Sequence, residues 1–112
     1  MPYFFFLTRW ISQVTRVVSV AGYNFTRNEQ SGTVVDDSGN ENIQILFDYD
    51  SGTFISQTIY STGVDSYSKT RMAVYTRNRE ELRKRTPNLP DNVEVCEKRE
   101  EIQTFIDKCF QK

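Results

Sequence analysis

The chain has 112 residues, with 14 Lys and Arg against 15 Asp and Glu, no histidine, and a formal net charge of −1. That length supports one hydrophobic core, hence a single domain over residues 1–112. Eight Phe, six Tyr and one Trp exclude a disordered chain, which is short of such residues, and the near-neutral balance disfavours a duplex-binding domain, normally strongly basic.

The opening "PYFFFL" is aromatic and reads as a strand, with Phe4 and Phe6 on one side and Tyr3, Phe5 and Leu7 on the other. It is too short to span a bilayer, which takes about 20 apolar residues, and it lacks the basic start of a signal peptide. No membrane association is expected. A strand apolar on both faces must be covered on both, so a second copy or a partner is expected over Tyr3, Phe5 and Trp10. The β-branched density of "TRVVSVAGYNF" favours a strand over Thr15–Phe25. Trp10, Ile11, Val14, Val17 and Val18 also fit a helical stripe with Gly22 as its stop, so residues 8–14 stay open between helix and strand.

Next comes a predicted meander. Asp37-Ser38-Gly39-Asn40 and Asp50-Ser51-Gly52 have hairpin chemistry. Between them Ile43, Ile45 and Phe47 alternate with Gln44, Leu46 and Asp48. "TFISQTIYS" is the expected partner strand, and 61–69 the exposed loop after it. "TRMAVYT" then reads as a strand, and "NREELRKR" as a short helix with an Asn78–Glu81 capping box and a stop at Thr86-Pro87. "NVEVC" is a further strand. In the closing helix, Ile102, Phe105, Ile106, Cys109 and Phe110 form one apolar stripe. The predicted fold is α+β: a mostly antiparallel β-meander, then a strand–helix–strand–helix C-terminal part with helices packed on one face of the sheet.

The missing histidine removes Ser–His–Asp and Cys–His nucleophile activation and most catalytic metal sites. Cys96 and Cys109 lie thirteen positions apart, outside redox and zinc spacings, and read as buried free thiols in a reducing, cytoplasmic setting. "FDYDSG" lacks the further ligands of a calcium loop. No glycine-rich phosphate cradle occurs. Neither a cofactor nor a metal is therefore expected, and no enzyme activity.

Charge is segregated. Residues 29–65 hold seven acids and no base, whereas residues 66–85 hold seven bases and two acids. Such blocks steer partners. The preferred expectation is a non-catalytic interaction protein that binds and modulates or inhibits a protein partner with an electropositive surface. Asp36, Asp37, Glu41, Asp48 and Asp50 would form the acidic contact, Tyr3, Phe5 and Trp10 an apolar one, with self-association into a homo-oligomer. Hairpin tips also collect Asp for turn chemistry alone. The alternative is a nucleotide- or RNA-phosphate-binding module gripping through Arg71, Arg77, Arg79 and Arg83, with Tyr67 or Tyr75 stacking on a base. Its ordinary counterpart is a solvated basic helix laced by Glu80–Lys84 and Glu81–Arg85 pairs.

Overall fold

A computed structural model describes residues 2–28, 30–36, 39, 41–48, 55, 57, 59, 60 and 70–110, with only the backbone of 2–9, 41 and 42. The chain begins as a helix. Pro2–Ala21 form α1, with proline in the first turn, where its missing N–H breaks no bond. Trp10, Ile11, Val14, Val17 and Val18 are all buried, while Ser12, Thr15, Arg16, Ser19 and Val20 face out. The 3.6-residue stripe has overridden the β-preference of its valines, which is weak beside tertiary packing. The strands expected over residues 2–7 and from Thr15 are thereby corrected. The two-faced aromatic strand does not form, and with it goes the premise that a second copy must cover it. α1 ends where expected: Gly22 takes φ +85°, its N–H donates to Ser19 O at 3.1 Å, and Tyr23 N–H donates to Val18 O at 3.1 Å. These paired bonds close the helix in a Schellman arrangement that favours glycine.

Three antiparallel strands follow: β1 (Asn24–Arg27), β2 (Ser31–Val35) and β3 (Glu41–Phe47). The first turn is tied by Asn28, whose Oδ1 accepts from the backbone N–H of Gln30 and Ser31 and from the Ser31 hydroxyl. In the second turn Gly39 has φ +84°, and its N–H donates to Asp36 O at 3.0 Å. The bulge at Val34/Val35 sits beside this turn.

The expected partner strand at "TFISQTIYS" is also corrected. Ile55, Gln57, Ile59 and Tyr60 are helical, and the i, i+4 pair Ile55 and Ile59 is buried. The crossover lets β4 (Arg71–Tyr75) lie parallel to β3, since parallel neighbours need a long connection. The Asp50-Ser51-Gly52 turn and loop 61–69 lie outside the described residues. Helix α2 (Arg79–Arg85), strand β5 (Glu94–Cys96) and helix α3 (Arg99–Cys109) complete the chain. Asn78 caps α2, its Oδ1 accepting from Glu81 N–H at 3.1 Å, and Thr86 closes it. The sheet order is β1-β2-β3-β4-β5, with β5 parallel to β4. The α+β fold is thus a meander continued by two parallel strands.

The alternation of β3 divides the core. Ile43, Ile45 and Phe47, with Ala73, Tyr75 and Cys96, pack under α1 and under Ile102, Phe105 and Ile106 of α3. Leu46, Met72, Val74 and Val95 on the other face pack with Leu82 of α2, Ile55, Ile59 and Val93. The longer helices share one face, and the chain itself covers the second. Each buried aliphatic side chain contributes roughly 1.5–3 kcal/mol. Among the described residues no helix is long and apolar enough to cross a membrane, and no cluster of His, Cys, Asp or Glu could hold a metal ion.

Candidate functional site

Of the acidic contact residues, Asp48 is placed most clearly, and it faces inward. It directly follows β3, is 3% exposed, and accepts hydrogen bonds from the two terminal guanidinium nitrogens of Arg85, at 3.2 and 2.8 Å. The Thr76 hydroxyl donates to the same carboxylate at 2.8 Å. This group pins α2 to the carboxyl ends of β3 and β4. Asp36 is half-buried. Asp37, Asp50 and the side chain of Glu41 lie outside the described residues, as do the side chains of Tyr3 and Phe5. Trp10 is buried, its ring 5.0 Å from Tyr75 and 6.5 Å from Phe47, so it belongs to the core.

The arginines of the phosphate reading are not brought together. Arg71 pairs with Ile43 at the start of β4, and Arg77 follows the strand's far end, roughly 20 Å away at the rise of an extended chain. The Arg77 guanidinium lies 5.4 Å from the Trp10 ring, a cation–π contact. Arg79 is half-buried and engaged within the chain: it donates to Val95 O at 3.1 Å and to Glu101, and lies 3.7 Å from Glu97. Arg83 is exposed on α2. Tyr67 lies outside the described residues. Tyr75 is buried, so its ring is not offered for stacking.

A different constellation is assembled at the carboxyl ends of β4 and β5, where open α/β sheets place their ligand crevices. A cavity of about 540 Å³ opens there between α1 and the start of α3. α1 contributes Ser12, Gln13 and Arg16, β4 ends in it with Tyr75, and Glu97, Lys98, Arg99 and Glu100 close it. Tyr75 donates its proton to Gln13 Oε1 at 2.7 Å. Burial raises the Tyr75 pKa, with a hydrogen bond from Trp10 opposing it. The phenol therefore stays protonated, and the Gln13 carbonyl is occupied. Its amide nitrogen is the group left for a visitor.

The charges here are unequal in freedom. Glu97 accepts the backbone N–H of Arg79 at 3.1 Å. Glu101, just behind, accepts the backbone N–H groups of Glu97 and Lys98. Burial acts to raise the Glu101 pKa, but those bonds and the Arg79 charge outweigh it and hold the carboxyl below its ordinary value. By contrast Arg16, Lys98 and Arg99 have no ion-pair partner among the described residues. A second cavity of about 540 Å³ continues between α1 and α3, sharing Arg16, Arg99 and Glu100 and walled by Val17, Val20, Gln103 and Thr104. Val20 is 81% exposed.

Neither cysteine is activated as a thiolate. Both are free, and burial pushes the Cys96 thiol up to about 12 and the Cys109 thiol up to about 11, far from the reactive thiolate range.

Apart from Tyr75, the residues of the cleft were not singled out from the sequence. One signal was present: Ser12, Arg16 and Val20 recur every four positions, placing an apolar residue on the exposed row of a helix.

Comparison with known proteins adds no kinship: no protein-family model matches the chain, and no curated protein or solved structure shows significant similarity to it.

Proposed function

We propose that the chain is a non-catalytic interaction module that engages a protein partner through the cleft between α1 and α3. The observation that carries this reading is the continuity of three cations without an ion-pair partner among the described residues, Arg16, Lys98 and Arg99, with a groove bearing the exposed Val20. Charge beside an exposed aliphatic surface suits a protein contact, in which polar groups set register and apolar area contributes affinity. The hydroxyl and thiol groups nearby are kept protonated by burial, which supports binding over covalent chemistry. In this reading the partner presents negative charge to the cleft, the reverse of the electropositive partner expected from the acidic segment. Of that segment's candidates Asp48 is already bonded to Arg85.

The test is a selection of displayed random peptides on the purified protein, with the Arg16→Glu/Arg99→Glu variant as a counter-screen. Peptides that bind the protein and lose the variant support the reading. No enrichment, equal binding to both proteins, or turnover of any substrate by the purified chain would overturn it.

A phosphate ligand is the second reading, favoured by the same three cations. Glu100 weighs against it, because a carboxylate in the cleft without an ion-pair partner among the described residues repels a phosphate more strongly than a single carboxylate. Phosphate binding would fall steeply with salt.

A further inference from the structure

We infer that the partner's contact segment is an extended acidic–aliphatic peptide, with a carboxylate side chain and a branched aliphatic side chain two positions apart. The inference rests on the proposed function and specifies the chemistry of its partner.

The spacing comes from α1. Ser12, Arg16 and Val20 occupy one exposed row, and each step of four residues advances roughly 6 Å along a helix at 1.5 Å per residue. Arg16 lies in both cavities, whereas Val20 lines only the second. The cation and the aliphatic surface are therefore about one such step apart. In an extended chain, residues i and i+2 project to the same side and are separated by roughly 6.6 Å. A Glu-x-Leu or Leu-x-Glu segment laid along α1 matches that step; adjacent Glu and Leu would face opposite sides.

Charge complementarity fixes the acid. Arg16 and Arg99 flank the junction of the two cavities, and both lack an ion-pair partner among the described residues. A guanidinium matches a carboxylate with two parallel hydrogen bonds. The amide nitrogen of Gln13 adds a donor, because its carbonyl is taken by Tyr75. Glu100, at the same junction, suits a peptide: it can accept a backbone N–H, which a bare phosphate lacks. Val17 and Val20 supply the apolar wall, and the open groove admits a chain passing through rather than a small ligand enclosed on all sides.

The experiment is an amide NMR titration of the full chain with short blocked peptides, Gly-Ser-Glu-Ser-Leu-Ser-Gly and its relatives. The expected result is saturable shifts at Arg16, Val20, Arg99 and Gln103. Affinity should fall at least tenfold when the peptide glutamate becomes glutamine, when its leucine becomes serine, or when the two are made adjacent. Arg16→Glu should lose the peptide and regain affinity for a lysine-for-glutamate version. Val20→Asp, at an exposed position, should lose binding while the urea midpoint is unchanged, and that midpoint keeps folding failure separate from binding failure. Equal binding of the adjacent-spacing peptide, or indifference to Val20→Asp, would overturn the inference. So would preferential binding of inorganic phosphate or oligothymidylate to the same residues. If selected random peptides require Arg16 and Arg99 yet carry no acid–aliphatic pair, the inference fails and the interaction module stands. If no peptide binds at all, both fail.

Discussion

Replacing Arg85 by methionine tests the inward-facing Asp48 most directly. The Asp48 side chain is 2% exposed and that of Arg85 30%, so the two partners are not equivalent. Arg85→Met removes two guanidinium hydrogen bonds from a carboxylate that remains out of water. Breaking a buried pair from this side costs about 3–5 kcal/mol. Asp48→Asn instead keeps an oxygen for the Thr76 hydroxyl and leaves a guanidinium already in contact with solvent, at a cost of about 1–2 kcal/mol. The paired change Asp48→Leu/Arg85→Met removes both charges. Thr76 then retains its bond to Asn78 O at 3.2 Å, so the double variant should recover to within about 2 kcal/mol of the parent. Urea unfolding reads these values. With a slope of about 1.5 kcal/mol per molar, the midpoint should fall by about 2–3 M for Arg85→Met and about 1 M for Asp48→Asn. Equal losses for the two single variants, or a double variant as unstable as the sum of its singles, would refute the reasoning.

Two further outcomes follow from the core. Both thiols hold their protons more tightly folded than unfolded, with Cys96 raised to about 12 and Cys109 to about 11 from 9.0. Their contribution is complete below pH 9 and is lost as pH rises toward 11–12. Each removes at most about 1.4 kcal/mol per pH unit, and Cys96→Ala should flatten that alkaline slope in urea titrations; an unchanged slope would exclude Cys96 as its source. Gly32→Ala places a Cβ 2.2 Å from the Phe25 ring, forcing aside an aromatic that packs edge-on against Phe47. The expected loss is about 1–3 kcal/mol with displaced Phe25 ring resonances, and unaltered resonances would show that the sheet yields instead.

Much of the fold was legible where pattern and tertiary context agree. The alternation through Ile43, Ile45 and Phe47, the Asn78 cap and the closing stripe Ile102, Phe105, Ile106 each have one physical solution, and it formed. Val14, Val17 and Val18 satisfy two templates at once. Their β-branching argues for a strand and their spacing for a helix, and burial against the sheet decided for the helix. Ile55 and Ile59 are similarly ambiguous: they suit a strand face as well as an i, i+4 pair, and the sequence does not say whether β4 returns antiparallel or crosses over. The cleft was illegible for a related reason. Its donors come from α1, where the sequence fits helix and strand alike, and from the entry to α3, and the parallel order of β4 and β5 brings them together.

The short outer strands bear on recognition of a different kind. Among the described residues β1 has four residues and β5 three, so an incoming strand would find a ladder only about 10–13 Å long at either margin. Strand addition draws its affinity from main-chain hydrogen bonds and is tolerant of sequence, and these margins supply few of them. Edge pairing, with the aggregation it invites, is correspondingly restricted. A partner reached at these margins would have to be read by its side chains rather than by an added strand.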